Sequence, residues 1–105
     1  MRYLVKIKRI SPPGIQNYVD LHLENYESYA QWVNSTGLVN HLDFIYDTLP
    51  DDSIVATNEC YFNTKEDADQ FYILNAEQLY IQDRDAYEAA NGIQRITDWE
   101  GYVND

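Results

Sequence analysis

The first ten residues alternate between apolar and polar side chains. In "RYLVKIKRI", Tyr3 and Ile7 fall on one side of an extended backbone, whereas Lys6 and Lys8 fall on the other. A period of two is typical of a β-strand with one apolar face. The residues "SPPG" that follow predict a turn, because proline followed by glycine suits the centre of a type II turn. We therefore expect the first strand to end there.

The segment from residue 15 to 23, "IQNYVDLHL", has a less decisive pattern. Val19, Leu21 and Leu23 alternate with polar residues, which favours either a short strand or an extended arm. The strand alternative would add an extra N-terminal strand to a sheet formed by the rest of the chain.

The apolar spacing then changes to three and four in "NYESYAQWVNSTG". Tyr26, Ala30 and Val33 follow the spacing of one helix face. Asn25 suits the N-cap position, and Gly37 suits the residue that ends a helix. This segment is predicted to be an amphipathic helix.

A β-hairpin is predicted next. Leu42, Phe44 and Tyr46 alternate in "LVNHLDFIYD" and share one face. The cluster "TLPDDS" is typical of a turn, and "IVATNECYF" supplies the second strand. Cys60, the only cysteine of the chain, falls in this strand and is expected to fill the core.

The stretch "CYFNTKEDADQF" is predicted to join this strand to a helix. Thr64 and Asp67 fit a capping box, and the positive end of the helix dipole favours acids in the first turn. An apolar stripe continues as far as Ala90. A single helix of that extent would be roughly 39 Å long, which is too long for a domain this small. We expect a break near residues 82 to 85, followed by a second helix that ends at Gly92.

The last strand is predicted in "IQRITDWEGYV". Regular alternation puts Trp99 and Val103 on one face, with Ile96 and Tyr102 on the other. Apolar residues on both sides indicate a strand with both faces covered.

The order strand, helix, strand, strand, helix, strand resembles a ferredoxin-like βαββαβ domain. It is also similar to the dimeric α/β-barrel proteins, in which two such sheets pack face to face. The resemblance implies an α+β fold with an antiparallel sheet, helices on one face and a homodimer. It covers most of the chain, which we expect to be a single domain over residues 1–105. Such domains serve as enzymes, RNA binders, metal carriers and adaptors, so the fold alone does not select a function.

Net charge separates the first strand from the rest of the chain. The formal net charge is -11, from 18 acidic and 7 basic residues, and four of the bases lie within the first ten residues. Such a field repels nucleic acid and anionic lipid and attracts basic partners. No apolar run approaches the length of a membrane span, and no signal peptide is evident. We therefore expect a cytoplasmic protein, of a cell or of an infected host.

Catalytic and metal-binding signatures are weak. Asp20 with His22, and His41 with Asp43, each place a histidine and a carboxylate two residues apart, but nothing brings the two pairs together. The predicted sheet lacks the basic surface that RNA binding requires, and Lys6 is expected to pair with acids across the sheet. We expect no metal, no cofactor and no direct contact with nucleic acid.

Three functions remain open, and the simplest of them is a structural or adaptor subunit with no special electrostatics; the other two make specific predictions. The first is a non-catalytic acidic protein that engages a basic protein surface as an inhibitor or nucleic-acid mimic; small acidic proteins of viruses that block DNA-binding enzymes are similar in composition. Its candidate contact residues are those that helix capping does not explain: Asp51, Asp52, Asp69, Asp83, Asp85 and Glu88. The second is a small-ligand binder or cofactor-free oxygenase of the dimeric-barrel type, with a pocket at His41, Trp99 and Tyr61.

Overall fold

The N-terminal alternation folds as strand β1 (Arg2–Ser11) in the computed structural model, which describes residues 1–104. The type II turn follows as predicted, because Gly14 has φ 80° and the Ile15 amide donates to the Pro12 carbonyl at 3.1 Å. The later elements are α1 (Tyr18–Leu21), α2 (Leu23–Thr36), β2 (Val39–Thr48), β3 (Ile54–Phe62), α3 (Lys65–Ala76), α4 (Leu79–Ala90) and β4 (Gln94–Val103).

The four strands form one open antiparallel sheet in the order β2-β3-β1-β4. Strands β1 and β2 run parallel to each other with β3 between them. In the same way, β3 and β4 run parallel with β1 between them. The sheet therefore consists of two interleaved split βαβ units. The protein has an α+β fold with four helices among the described residues.

The core lies between one face of this sheet and helices α2 and α3. Tyr3 and Val5 of β1 meet Phe62 of β3, and Val33 and Phe71 pack over them from the two helices. Phe62 is fully buried, and Cys60 is buried beside it as expected from its position in the strand. We call this side of the sheet the inner face.

The opposite side, the outer face, has the cross-strand ion pairs that the sequence predicts. Lys6 Nζ lies 3.3 Å from Glu59 on β3, and Lys8 Nζ lies 3.6 Å from Asp98 on β4. These contacts neutralise the basic start of the chain with acids of the neighbouring strands.

Two helix-boundary predictions are confirmed by backbone geometry. Gly37 ends α2 in the left-handed conformation at φ 66°. Thr64 Oγ1 accepts a hydrogen bond from the Asp67 amide at 3.1 Å and so caps α3. Most of the acidity around residue 66 therefore has a local structural role at a helix N-terminus.

The segment from residue 15 to 23 is neither a strand nor an extended arm, and the extra N-terminal strand is wrong. Asn17 Oδ1 accepts from the Val19 amide at 3.1 Å and caps the short helix α1. Tyr18 is buried against Tyr80 and Tyr87 of α4. This long-range aromatic contact outweighs the local alternation and leaves a four-stranded sheet.

Two other boundaries differ from the prediction. Helix α2 begins at Leu23, with His22 at its N-cap position instead of Asn25. The break in the long helix falls at residues 77–78, before the predicted position, because Gln78 adopts an extended conformation between α3 and α4. The break allows Tyr80 to stack on Tyr29 of α2, with ring centroids 4.8 Å apart.

Strand β4 lies at an edge of the sheet and most of its residues are exposed, so within residues 1–104 the prediction that both of its faces are covered is wrong. A bulge at Asp98 shifts the register between Trp99, which pairs with Lys6, and Thr97, which pairs with Ile7. The bulge moves Ile96 to the outer face together with Trp99, and both side chains are more than two-fifths exposed. Within the described residues, none of the helices is long and apolar enough to cross a membrane.

Candidate functional site

A partly open cavity of about 80 Å³ lies between the inner face of the sheet and the helices. Three residues that the alternation places on one face of β2, namely Leu42, Phe44 and Tyr46, line it. The other lining residues come from β1, β3, the helices and the segment before α1: Ile7, Arg9, Asn17, Val19, Tyr26, Tyr29, Val33, Val39, Asn58, Cys60, Phe71, Tyr72, Asn75, Tyr80 and Arg84.

Exposure separates the mouth of the cavity from its inner end. Phe44 and Tyr46, on the edge strand β2, are 37% and 49% exposed, and Tyr26 lies edge-on to Phe44 at 6.1 Å. By contrast, Phe71 and Cys60 are buried. The mouth is thus framed by aromatic rings, and the cavity extends from there to buried residues of the core.

Two hydrogen-bonding groups of the cavity wall have no partner in the part of the chain that the structure describes. They are the hydroxyl of Tyr80 and the Nε atom of Arg84, and both atoms are inaccessible to solvent. A buried polar group without a partner costs roughly 1–3 kcal/mol, and such groups are rare in native proteins. The hydroxyl of Tyr29 does have a partner, because it donates to Asn75 Oδ1.

A buried carboxylate organises the arginines next to the cavity. Glu88 Oε2 accepts a hydrogen bond from Arg9 Nε at 2.7 Å, and both side chains are almost fully buried. Arg84 Nε lies 3.8 Å and Arg95 Nη1 3.9 Å from the Glu88 carboxylate. Arg95 also binds Asp85 at 2.7 Å. Three of the seven basic residues of the chain therefore gather at this end of α4.

The ionisable groups around the cavity have shifted pKa values. Burial raises the pKa of the Cys60 thiol to about 12 and that of the Tyr29 phenol to about 12. Burial also raises the pKa of Tyr80 and lowers that of Arg9, with the charge of Arg84 as a further cause of the Arg9 shift. The thiol and the phenols are therefore neutral at pH 7. Cys60 presents a protonated thiol to the cavity, not a nucleophilic thiolate.

None of the three pocket residues proposed from the sequence lines this cavity. His41, Tyr61 and Trp99 pair with outer-face positions, on the side of the sheet away from the helices. His41 Nε2 lies 2.9 Å from Asp43 Oδ1, and the Trp99 indole packs across Gly101. The sequence indicated aromatic and histidine side chains suited to a pocket, but it did not indicate which face of the sheet they occupy.

The six candidate contact acids lie in different surroundings. Asp51 and Asp52 belong to the exposed β2–β3 turn, where Asp51 accepts from the Ser53 amide at 3.0 Å and this bond lowers its pKa. Asp83 is exposed on α4. Within residues 1–104, these three acids form no ion pair.

The other three acids each have a basic neighbour. Asp69 binds Lys65 at 2.8 Å on the surface of α3, and Asp85 binds Arg95. Glu88 is buried among the arginines, so its charge is inaccessible to a protein partner. The fold does not bring all six acids onto one continuous patch.

Side chains suited to metal binding do not cluster: among residues 1–104, no group of three or more His, Cys, Asp or Glu side chains could hold an ion. No protein-family model matches the sequence, and no curated protein is significantly similar to it.

Sequence reasoning missed Tyr80 and Arg84, the two groups that distinguish the cavity. Together with Glu88 they recur every four residues along α4, so they share one helix face. That face combines an aromatic, a cation and an anion at a spacing typical of core contacts. This four-residue spacing was the signal in the sequence that could have identified the three residues as neighbours.

Proposed function

We propose that the protein binds a small organic molecule in the cavity between the sheet and the helices. The observation that carries this proposal is the buried hydroxyl of Tyr80, a residue of the cavity wall, which has no hydrogen-bond partner among residues 1–104. Ligand sites are typically apolar concavities with a few convergent polar groups. The aromatic mouth and the polar groups of Arg9, Tyr80 and Arg84 in the wall fit that description.

The experiment is a fragment screen by ligand-observed NMR on the intact protein and two variants. Leu42→Trp fills the cavity from β2, whereas Ile45→Trp adds the same bulk to the outer face of the same strand. Fragments that bind in the cavity should bind wild type and Ile45→Trp equally and should lose binding to Leu42→Trp. Equal binding to all three proteins would place the fragments elsewhere and contradict the proposal.

The fold we propose is an elaborated ferredoxin-like arrangement. Two interleaved split βαβ units support it, and the additional helices α1 and α4 are the elaboration. The homodimer that this resemblance implies remains a prediction. Ile45 is exposed on the outer face of one edge strand, and Ile96 and Trp99 are exposed on the outer face of the other, so this face offers apolar side chains to a sheet-to-sheet contact. Analytical ultracentrifugation would test it, with Ile45→Glu expected to yield a monomer and a wild-type monomer contradicting it.

A second candidate is the acidic interaction protein, which the formal net charge of -11 and the three exposed, unpaired acids favour. Its surface would consist of Asp51, Asp52 and Asp83. Glu88 is left out because it is buried.

The test is capture on an immobilised basic protein such as a histone at low and high salt. Asp52→Asn with Asp83→Asn should weaken capture at low salt more than the charge-matched pair Glu24→Gln with Glu66→Gln. Equal effects of the two pairs would indicate non-specific attraction, and capture that is insensitive to salt would contradict an electrostatic interface.

A further inference from the structure

We infer that the cavity selects small carboxylates, which the Tyr80 hydroxyl and the Arg84 Nε–H group hold through hydrogen bonds. The inference rests on the proposed function and names its ligand class. It follows from three observations on the cavity wall: the local charge, two buried donors without a partner and the volume of the cavity.

The local charge is opposite in sign to that of the whole protein. Arg9 and Arg84 line the cavity, and a single buried carboxylate, that of Glu88, lies between them. Arg9 Nε donates a hydrogen bond to this carboxylate at 2.7 Å, whereas Arg84 Nε lies 3.8 Å away, beyond hydrogen-bonding distance. Asp85 contacts Arg84 only at Nη2, at 3.4 Å, and binds Arg95 more closely. The Nε–H group of Arg84 is therefore a donor without a partner. It lies where two arginines, Arg9 and Arg84, share the single carboxylate of Glu88.

The two unpartnered donors belong to the same helix face. Tyr80 and Arg84 are one turn apart on α4, and both line the cavity. Burial raises the pKa of Tyr80, so its hydroxyl remains protonated and can donate at physiological pH. A carboxylate has two acceptor oxygens and matches two N–H or O–H donors, and hydrogen bonds to an ionised acceptor are among the strongest in proteins.

The enclosed volume limits the size of the ligand. A cavity of about 150 Å³ holds benzene, and the enclosed volume here is about 80 Å³. A carboxylate with a few carbon atoms fills such a space. A longer ligand would extend past Phe44 and Tyr46 at the open mouth. Butyrate is therefore a suitable probe, and butyramide is its neutral counterpart of nearly the same shape.

The test is a titration of the intact protein with each probe, followed by ¹H–¹⁵N NMR. Butyrate should shift amides that border the cavity, such as those of Val33 and Cys60. It should bind roughly 10-fold or more tightly than butyramide, because hydrogen bonds to charged groups contribute more than neutral ones. Surface binding of butyrate is disfavoured by the net charge of -11.

Matched variants identify the donors. Tyr80→Phe removes the hydroxyl and keeps the ring that stacks on Tyr29, and Arg84→Lys keeps the charge but removes the Nε–H donor. Each should weaken butyrate binding roughly 10-fold and reduce the preference over butyramide. Tyr87→Phe is the control, because the Tyr87 hydroxyl donates to the Gln16 carbonyl outside the cavity. It should bind butyrate as wild type does.

The outcomes distinguish a failure of the carboxylate inference from a failure of the proposed function. Equal affinity of wild type for butyrate and butyramide would overturn the carboxylate inference and leave a neutral-ligand cavity. If neither probe binds and the fragment screen also finds no cavity ligand, the proposed function fails too. The comparison of the two probes uses wild type only, so it holds even if a variant does not fold.

Discussion

Replacing Glu88 by glutamine should destabilise the protein strongly. The Glu88 side chain is 7% exposed and lies close to three arginines: Arg9 at 2.7 Å, Arg84 at 3.8 Å and Arg95 at 3.9 Å. Arg9 is also buried, with a side chain that is 6% exposed. Glutamine keeps the shape but removes the charge, so the arginine cluster would lose its buried anion.

The expected magnitude follows from the burial of both partners. Breaking a buried ion pair by removing one partner costs about 3–5 kcal/mol, because the remaining charge is left uncompensated. A domain of this size is stable by about 5–15 kcal/mol, so Glu88→Gln should remove about a fifth or more of the free energy of unfolding. The double variant Arg9→Met with Glu88→Leu should recover part of the loss, since it removes the Arg9 charge as well.

Urea denaturation followed by circular dichroism measures this difference. The control is Asp69→Asn, which breaks the ion pair of Asp69 with Lys65 at a site where both side chains are more than half exposed. That variant should unfold at almost the wild-type urea concentration, because exposed pairs contribute little. If Glu88→Gln were as stable as Asp69→Asn, Glu88 would be solvated and the buried arginine cluster would be refuted.

Three further predictions concern the core and the helix ends. Because burial raises the pKa of Cys60 from 9.0 to about 12, only the unfolded chain loses the thiol proton just above pH 9, and stability should fall there by up to about 1.4 kcal/mol per pH unit. Urea denaturation of Cys60→Ala at pH 9 and 10 should lack that component, and an unchanged slope would contradict the burial. Thr64→Ala should lower the free energy of unfolding by about 1 kcal/mol, because the Asp67 amide loses its cap; thermal denaturation with no change in midpoint would contradict this role. Gly37→Ala should cost about 1 kcal/mol or more in the same assay, because alanine is strained at φ 66°, and Gly37→Asn should cost less.

Local patterns in the sequence predicted most of the sheet because the forces behind them are local. The alternation of β1 and the hairpin placed their inner faces correctly, and Thr64 and Gly37 marked helix ends through hydrogen bonding and backbone geometry. The alternating segment 15–23 misled because its conformation depends on Tyr18, which is buried by α4 residues far along the chain. The bulge at Asp98 likewise changes the face of Ile96 without a signal in the alternation.

The candidate site was less predictable because it depends on contacts between distant segments. Arg9 and Glu88 are 79 positions apart, and neither residue type indicates burial in isolation. From the sequence, Glu88 was indistinguishable from a surface acid such as Asp83. Tyr80 and Arg84 line the cavity only because the break at residues 77–78 places α4 across the inner face of the sheet.

Some of the acidic residues lie on the two edge strands, where their charge affects association between copies of the molecule. Strands β2 and β4 each have one side with no neighbouring strand within residues 1–104, and such rows of free amide and carbonyl groups can recruit further chains into growing fibrils. Asp43 and Asp47 lie on one of these borders, and Asp98 kinks the other. Their like charges repel an approaching copy, so they disfavour fibril growth from these two borders.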